Sequence, residues 1–185
     1  LLRHCASFCK VVHLARTSPL EYVETLMEQF DEKQKGALEQ ISGTAFTGEE
    51  WEQAQMPVGE GGFGLRSVVE HAHAAYVASR GLTEELVEQL VGTECEPPDL
   101  VSVNYLGVAR VALADKVSEN MREHLLDGEK VTRQKSLSIQ ICQHARNARI
   151  ARVSRIKRIS LEAYSQPWAD GWLRGCPSDN LDTCL

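Results

Sequence analysis

Residues 67–79 read SVVEHAHAAYVAS, and this stretch decides the fold of the chain. Ser67 is a favourable N-cap residue, and the residues after it do not alternate between apolar and polar as they would in a half-buried strand. Several side chains in the stretch are small enough to let a second helix approach closely: Ala72, Ala74, Ala75 and Ala78. The stretch therefore predicts a helix over residues 68–79 against which other helices pack.

Helix start signals recur on both sides of this stretch. Ser18 followed by Pro19 predicts an N-cap with proline at the first helical position, and Thr47 with Glu50 forms a capping-box pattern. Further helices are predicted over 83–92, over 99–126 with a candidate break near Gly107, and over 132–164 in one or two pieces. Since no segment alternates in the manner of a strand, the chain is expected to be all-α: an irregular helical bundle with short loops and at most a minor β element near residues 57–66.

A possible domain boundary lies in the middle of the chain. Residues 94–98 read ECEPP, and two adjacent prolines between helical segments are typical of a linker. This predicts a helical region over 1–92, a linker over 93–98, and a second helical region over 99–185. The second region contains a basic helix at 130–158.

Composition excludes several classes of protein. The chain has 185 residues, of which 43% are hydrophobic and 25% charged, so it is long enough to bury a core and unlike a disordered or collagen-like sequence. No run approaches eighteen consecutive apolar residues, so no transmembrane helix and no membrane partner are predicted. The six cysteines are spaced too irregularly for a disulfide framework. We expect free thiols and an intracellular location, nuclear or cytoplasmic.

Charge is distributed unevenly between the two ends of the chain. Residues 1–129 carry 10 Lys or Arg and 22 Asp or Glu, whereas residues 130–185 carry 10 and 4, so a net charge of −12 precedes one of +6. In the basic part an arginine recurs every three residues, which on a helix forms one broad stripe: Arg146, Arg149, Arg152, Arg155 and Arg158. Two interpretations stay open, a contact with phosphates or a face that is solvated or paired with the acidic part of the chain.

Two motifs have a functional and a structural interpretation. Residues 59–64 match the dinucleotide pattern G-x-G-x-x-G, but a helical segment and Pro57 precede them where that pattern needs a strand. A tight turn with several positive-φ positions is therefore the preferred interpretation. Cys5, Cys9 and His13 would share one face of a helix and could begin a zinc site, although buried structural cysteines are commoner. We expect no metal, no cofactor and no catalytic residue in this chain.

Several segments, in order, resemble reverse transcriptases of non-LTR retroelements. Residues 1–17, LLRHCASFCKVVHLART, resemble the stretch just downstream of the polymerase palm in that family. As in the family, there follow Pro19, the pair Phe30-Asp31, an aromatic helix ending in QAQMP (53–57), the loop GGFGLRS (61–67), HAHAAYVAS (71–79), QKSLS (134–138), and more loosely WADGWL (168–173) with Pro177-Ser178. The resemblance is strong over residues 1–80, thin over 81–130 and partial beyond. Phe63 and the arginine-dense stretch depart from the family pattern.

The resemblance implies the thumb-side, C-terminal part of an RNA-directed DNA polymerase-like protein. The family's catalytic aspartates lie upstream in the palm and no position here corresponds to them, so the chain, which opens on Leu1, is expected to be a fragment without polymerase activity of its own. In the parent protein it would bind an RNA/DNA duplex. The predicted nucleic-acid-binding residues are Arg146, Arg149, Arg152, Arg155, Lys157 and Arg158, and the predicted structural loop residues are Gly61, Gly62, Gly64 and Arg66.

Two other classes of function compete with this one. The first alternative is a helical protein-interaction module with no nucleic-acid role, in which residues 130–158 dock on the acidic first part of the chain. The second is a small independent enzyme, for which the sequence offers no nucleophile with a base, no phosphate-binding lysine loop and no paired carboxylates.

Overall fold

The structure, a computed structural model, describes residues 2–5, 7–91, 104–131, 133–166 and 169. All regular secondary structure in these ranges is helical, and none of the described residues, including those at 57–66, forms a strand. The prediction of an all-α fold is therefore confirmed.

The helices occur in two parts of the chain, before and after residues 92–103. The first part of the chain contains α1 (Leu2–Cys5), a 3₁₀ turn (Phe8–Lys10), α2 (Val12–Thr17), α3 (Leu20–Ser42), α4 (Gly48–Gln55), a second 3₁₀ turn (Val58–Glu60) and α5 (Val68–Val91). The second part contains α6 (Tyr105–Ala114), α7 (Glu119–Leu126), α8 (Gln134–Arg152) and α9 (Arg155–Tyr164). No helix in the described ranges is long and apolar enough to cross a membrane.

Helix α5 is the centre of the molecule because it contributes to both hydrophobic clusters. One face packs with α2 and α3 in a cluster that contains Ala15, Leu20, Val23, Met27, Val68, Ala72 and Ala75. The other packs with α6, α7 and α8 in a cluster that contains Ala74, Tyr76, Val77, Ala109, Leu113, Leu125, Leu137 and Ile141. The four alanines predicted to allow close packing are all buried. Apolar contacts thus join residues that the sequence places on either side of the predicted linker, which itself lies outside the described residues.

The start of α5 is held by a carboxylate from α3. Ser67 caps the helix by accepting a hydrogen bond from the Glu70 N–H, as predicted, and its own hydroxyl donates to Asp31 at 2.6 Å. Asp31 also accepts from the Val68 N–H at 2.9 Å. Burial raises the pKa of Asp31, although these hydrogen bonds oppose the shift. Asp31 therefore satisfies orphan donors at the N-terminus of the central helix.

Three predicted helix boundaries are wrong. Helix α5 does not stop at Ser79 and restart at Thr83 but runs unbroken from Val68 to Val91. It passes through Gly81, where an added Cβ would lie 2.5 Å from the Val131 carbonyl oxygen, so the close approach of residue 131 accounts for a glycine inside a helix.

The other two errors concern residues that local signals misplace. Gly107 lies inside α6, where its N–H is capped by the Asn104 side chain, and the break comes after Ala114. There Ser118 donates to the Gln140 side chain of α8, so a tertiary contact holds the turn. Pro19 is the N-cap of α3 rather than its first helical residue. The predicted cap Asp99 lies outside the described residues.

One local prediction is confirmed: the Thr47 and Glu50 side chains form the reciprocal capping box at α4. The predicted basic helix at 130–158 is instead two helices, with α8 ending at Arg152 and the Ser154 side chain capping α9, and the described residues 130, 131 and 133 lie outside α8. The interruption at Val153 and Ser154 divides the arginine stripe between two helices.

Candidate nucleic-acid interface

The glycine-rich segment 59–64 folds as a turn against the end of α4. Backbone N–H groups of all residues from 60 to 65 donate to carbonyl oxygens of residues 54–58. The Gln53 side chain donates to the Gly61 carbonyl at 2.7 Å. Because a phosphate-binding loop must present free N–H groups, and these six are already used, residues 60–65 have no backbone donor left for a nucleotide phosphate.

The conformation of the turn explains its glycines. Gly61 and Gly64 have positive φ angles of 74° and 70°, which L-residues with side chains rarely adopt. Gly62 is buried, and a Cβ there would collide with the carbonyl oxygens of Met56 and Gln53. Arg66, half-buried after the turn, has no hydrogen bond or ion pair among the described residues. These positions therefore build a corner between α4 and α5.

The cations predicted to bind nucleic acid lie along α8 and α9, beside α4 and the corner. Three of them form ion pairs with glutamates of α4 and of the turn that follows it: Arg146 with Glu60 at 2.5 Å, Arg152 with Glu52 at 3.0 Å, and Lys157 with Glu49 at 2.7 Å. The Arg146 guanidinium and Glu60 both also bond the Ser165 hydroxyl, at 3.1 Å each. The hydrogen bond and charge of Lys157, with the nearby charges of Arg149 and Arg152, lower the pKa of Glu49.

The remaining three cations of this predicted set differ from one another in exposure. Arg155 and Arg158 are exposed and make no ion pair with any described residue. Arg149 is half-buried, and its Nε and Nη1 atoms are buried without a hydrogen-bond partner in the part of the chain that the structure describes. The six cations therefore do not form one free surface, because half of their charge is paired within the chain.

A second group of cations lines a groove between α2, α5 and the start of α8. Its volume is about 600 Å³, and its polar side chains are Arg16, Ser79, Thr83, Arg133, Gln134, Lys135 and Ser136. Both the Nε and Nη2 atoms of Arg16 donate to Gln134 Oε1, at 3.0 and 2.8 Å, which holds α2 against α8. None of the described lining residues is acidic. The basic groove, as we call this set, thus concentrates positive charge and hydroxyl groups at one place.

The segments that carry the family resemblance meet in pairs in the fold. Arg16 of the first segment contacts Gln134 of the QKSLS segment, and Asp31 bonds Ser67 of the GGFGLRS loop. Gln53 of the aromatic helix bonds Gly61 of the same loop. Ser79 of the HAHAAYVAS segment and Lys135 of the QKSLS segment both line the basic groove.

The binding residues predicted from the sequence do not include Arg16, Arg133 and Lys135, because no local pattern connects positions so far apart in sequence. The resemblance of QKSLS to the family is the one signal in the sequence that points to this region.

The possible zinc ligands do not lie on one helix. Helix α1 ends at Cys5, Cys9 belongs to the following 3₁₀ turn, and His13 belongs to α2. Elsewhere in the described ranges, no group of three or more His, Cys, Asp or Glu side chains is placed to hold a metal ion.

Comparison with known proteins finds no family model, no curated protein and no solved structure that matches this chain significantly.

Proposed function

We propose that this chain binds the phosphate backbone of a nucleic-acid duplex, as the thumb-side part of a reverse-transcriptase-like protein. The observation that carries this proposal is the basic groove, in which Arg16, Arg133 and Lys135 gather without an acidic neighbour in the lining. Phosphate contacts by Lys and Arg supply most of the affinity of sequence-independent nucleic-acid binding. The hydroxyls of Ser79 and Ser136 add further donors suited to phosphate oxygens, whereas the Thr83 hydroxyl already donates to the Ser79 carbonyl at 3.1 Å.

The convergence of the resembling segments supports the same proposal. Residues from the first segment, the HAHAAYVAS segment and the QKSLS segment lie together at the groove although more than one hundred positions separate the first from the last. A common surface for residues that carry the resemblance is what a shared binding role would require. The cations of α8 and α9 contribute less in this proposal, because Arg146, Arg152 and Lys157 are paired with carboxylates.

The test is binding to a short DNA duplex at several salt concentrations. With three phosphate contacts the slope of log affinity against log salt should be about −3, and the double variant Arg133→Ala/Lys135→Ala should reduce its magnitude by about two units. The matched control is Arg155→Ala/Arg158→Ala, which removes the same number of exposed charges from α9. If Arg155→Ala/Arg158→Ala reduced the slope and Arg133→Ala/Lys135→Ala did not, the phosphate contacts would lie on α9 and not in the basic groove. Absence of duplex affinity at low salt would contradict the proposal as a whole.

A protein-interaction module is the second candidate, and one observation favours it. Leu82, Leu86 and Leu90 recur at one-turn spacing on α5 and are 65%, 55% and 77% exposed. Three exposed leucines in a row are typical of a helix face that another protein covers. In this case the duplex would bind weakly, and replacing Leu86 with Lys would abolish association with a protein partner without altering the helix.

A further inference from the structure

A small cavity lies between α4, the start of α5 and the middle of α8, away from the basic groove. Its volume is about 250 Å³. The wall from α8 includes Ala145 and Ala148, whose short side chains leave the space open, while Met56 and Ile141 provide an apolar boundary. Polar side chains from all three helices line the cavity, as is typical of ligand-binding sites.

Arg149 is the charged residue with unsatisfied polar atoms at this cavity. Its Nε and Nη1 atoms are buried, and neither has a hydrogen-bond partner among the described residues. Leaving a charged donor buried without an acceptor is costly, because the group has lost water and gained nothing in exchange. Because Nε–H and Nη1–H lie on opposite edges of the guanidinium, one small ligand can accept from only one of them, together with Nη2, and would reduce that cost.

The charge balance around Arg149 calls for a negative ligand. Two carboxylates line the same cavity, but Glu52 is paired with Arg152 and Glu70 with Lys116, at 3.0 and 2.7 Å. Glu49 also feels the charge of Arg149, which lowers its pKa, but its direct partner is Lys157 at 2.7 Å. Arg149 therefore has no carboxylate as a direct partner among the described residues, and an anionic ligand in the cavity would supply one.

His71 offers a neutral hydrogen-bonding group beside this charge. The side chain is 4% exposed and its Nδ1 atom has no partner in the described part of the molecule. Burial is the main reason why the pKa of His71 is lowered to about 4. The positive charges of Arg66 and Lys116 act in the same direction, and the negative charge of Glu70 acts against it. The ring is thus uncharged near pH 7, with one nitrogen able to donate and the other to accept.

Cys142 adds no competing charge to the site. Its Sγ lies 3.9 Å from His71 Nε2, and burial raises the pKa of the Cys142 thiol. The thiol therefore stays protonated near neutral pH, and the cavity holds no thiolate that could neutralise Arg149.

We propose that this cavity binds a small oxyanion of phosphate type, with the Arg149 guanidinium as its main donor and His71 as a neutral second partner. Guanidinium groups suit such ligands because their N–H groups match the spacing of two oxygens. The oxyanion belongs either to a free phosphate compound or to a phosphate of a nucleic acid. The inference does not rest on duplex binding in the basic groove, since the two sites share no lining residue.

The test uses inorganic phosphate at constant ionic strength and pH 7.5, with chloride as the balancing anion. Phosphate should raise the thermal midpoint of the wild-type chain in a saturable way, as a ligand specific for the folded state does. The Arg149→Met variant should bind phosphate about tenfold more weakly or worse. In proton–nitrogen NMR spectra, the Arg149 Nε–H signal should shift on titration with phosphate and reach a plateau at saturation.

Two further variants guard against misreading. Arg149→Lys keeps the charge but not the paired N–H groups and should fall between wild type and Arg149→Met, whereas Arg158→Met on α9 should bind phosphate as the wild type does. Without phosphate, Arg149→Met should be as stable as the wild type or more so, because it removes unpaired buried donors.

Competition experiments identify the source of the oxyanion. If a short duplex reverses the shift of the Arg149 signal, the source is nucleic acid, and if only a nucleoside monophosphate does so, the source is a free compound. Equal phosphate responses in wild type and Arg149→Met, or no saturable response, would overturn the proposal.

Discussion

His71 shows what burial does to a single titratable residue in this fold. The unfolded chain binds a proton to this histidine below about pH 6.5, whereas the folded chain does so only below about pH 4. Between these values the unfolded state holds more protons, so the contribution of His71 to stability is complete above pH 6.5 and is lost as the pH falls toward 4. The neighbouring charges of Arg66, Glu70 and Lys116 modify this effect, but burial is its main cause.

The prediction at this scale compares wild type with His71→Leu. The difference in unfolding free energy between the two should change by about 3 kcal/mol between pH 4 and pH 7, with the wild type losing more on acidification. Taking the difference cancels the titration of other groups, including Asp31, whose raised pKa acts in the opposite direction. Urea denaturation at several pH values measures it. Parallel pH curves for the two proteins would mean that His71 is not held neutral by burial.

Helix α5 shows how tertiary packing overrides local signals within one element. Gly81 and Thr83 resemble an interruption in the sequence, yet the helix continues because the backbone at Val131 packs against the space that Gly81 leaves. Gly36 in α3 is also inside a helix, but nothing lies within 4 Å of the position of an added Cβ. The two glycines therefore occupy similar backbone and different surroundings.

The same substitution at these two glycines should have opposite effects. Gly36→Ala should stabilise the chain by about 0.5–1 kcal/mol, since alanine loses less backbone entropy in a helix. Gly81→Ala should destabilise it by about 1–3 kcal/mol, because the methyl group would lie 2.5 Å from the Val131 oxygen. Thermal or chemical denaturation of both variants checks this. If Gly81→Ala were as stabilising as Gly36→Ala, residue 131 would not be packed against α5.

Local signals predict those elements of this chain that local interactions determine. The capping box at Thr47 and the cap at Ser67 each depend on residues within a few positions, and each is confirmed. The turn before α7 depends on Gln140 of another helix, and Asp31 accepts from the Val68 N–H of α5 across thirty-seven positions. Such contacts leave no periodic or local pattern. For the same reason the arginine stripe was visible in the sequence, while the basic groove, built from α2, α5 and α8, was not.

At the scale of the whole molecule, the acidic first part of the chain forms ion pairs with the basic second part. The carboxylates of Glu49, Glu52 and Glu60 face cations of α8 and α9, so the basic segment is partly neutralised by the acidic one. The interpretation of the stripe as an internally paired face therefore describes two of its five arginines, Arg146 and Arg152. The cations discussed above that have no carboxylate partner, and so can contact an external anion, lie in the basic groove, on the exposed side of α9 and at Arg149.

The ion pairs themselves should contribute unequally to stability. Arg146 and Glu60 are only 30% and 34% exposed and share the Ser165 hydroxyl, so Arg146→Ala should cost about 1–2 kcal/mol, less than a fully buried pair would. Arg152 and Glu52 are 65% and 47% exposed, and solvent screens their attraction, so Arg152→Ala should cost no more than about 1 kcal/mol. Urea unfolding at low and high salt measures both, and the cost of Arg152→Ala should fall further as salt increases. Equal costs for the two variants would show that the shared hydroxyl and the partial burial around Arg146 add nothing.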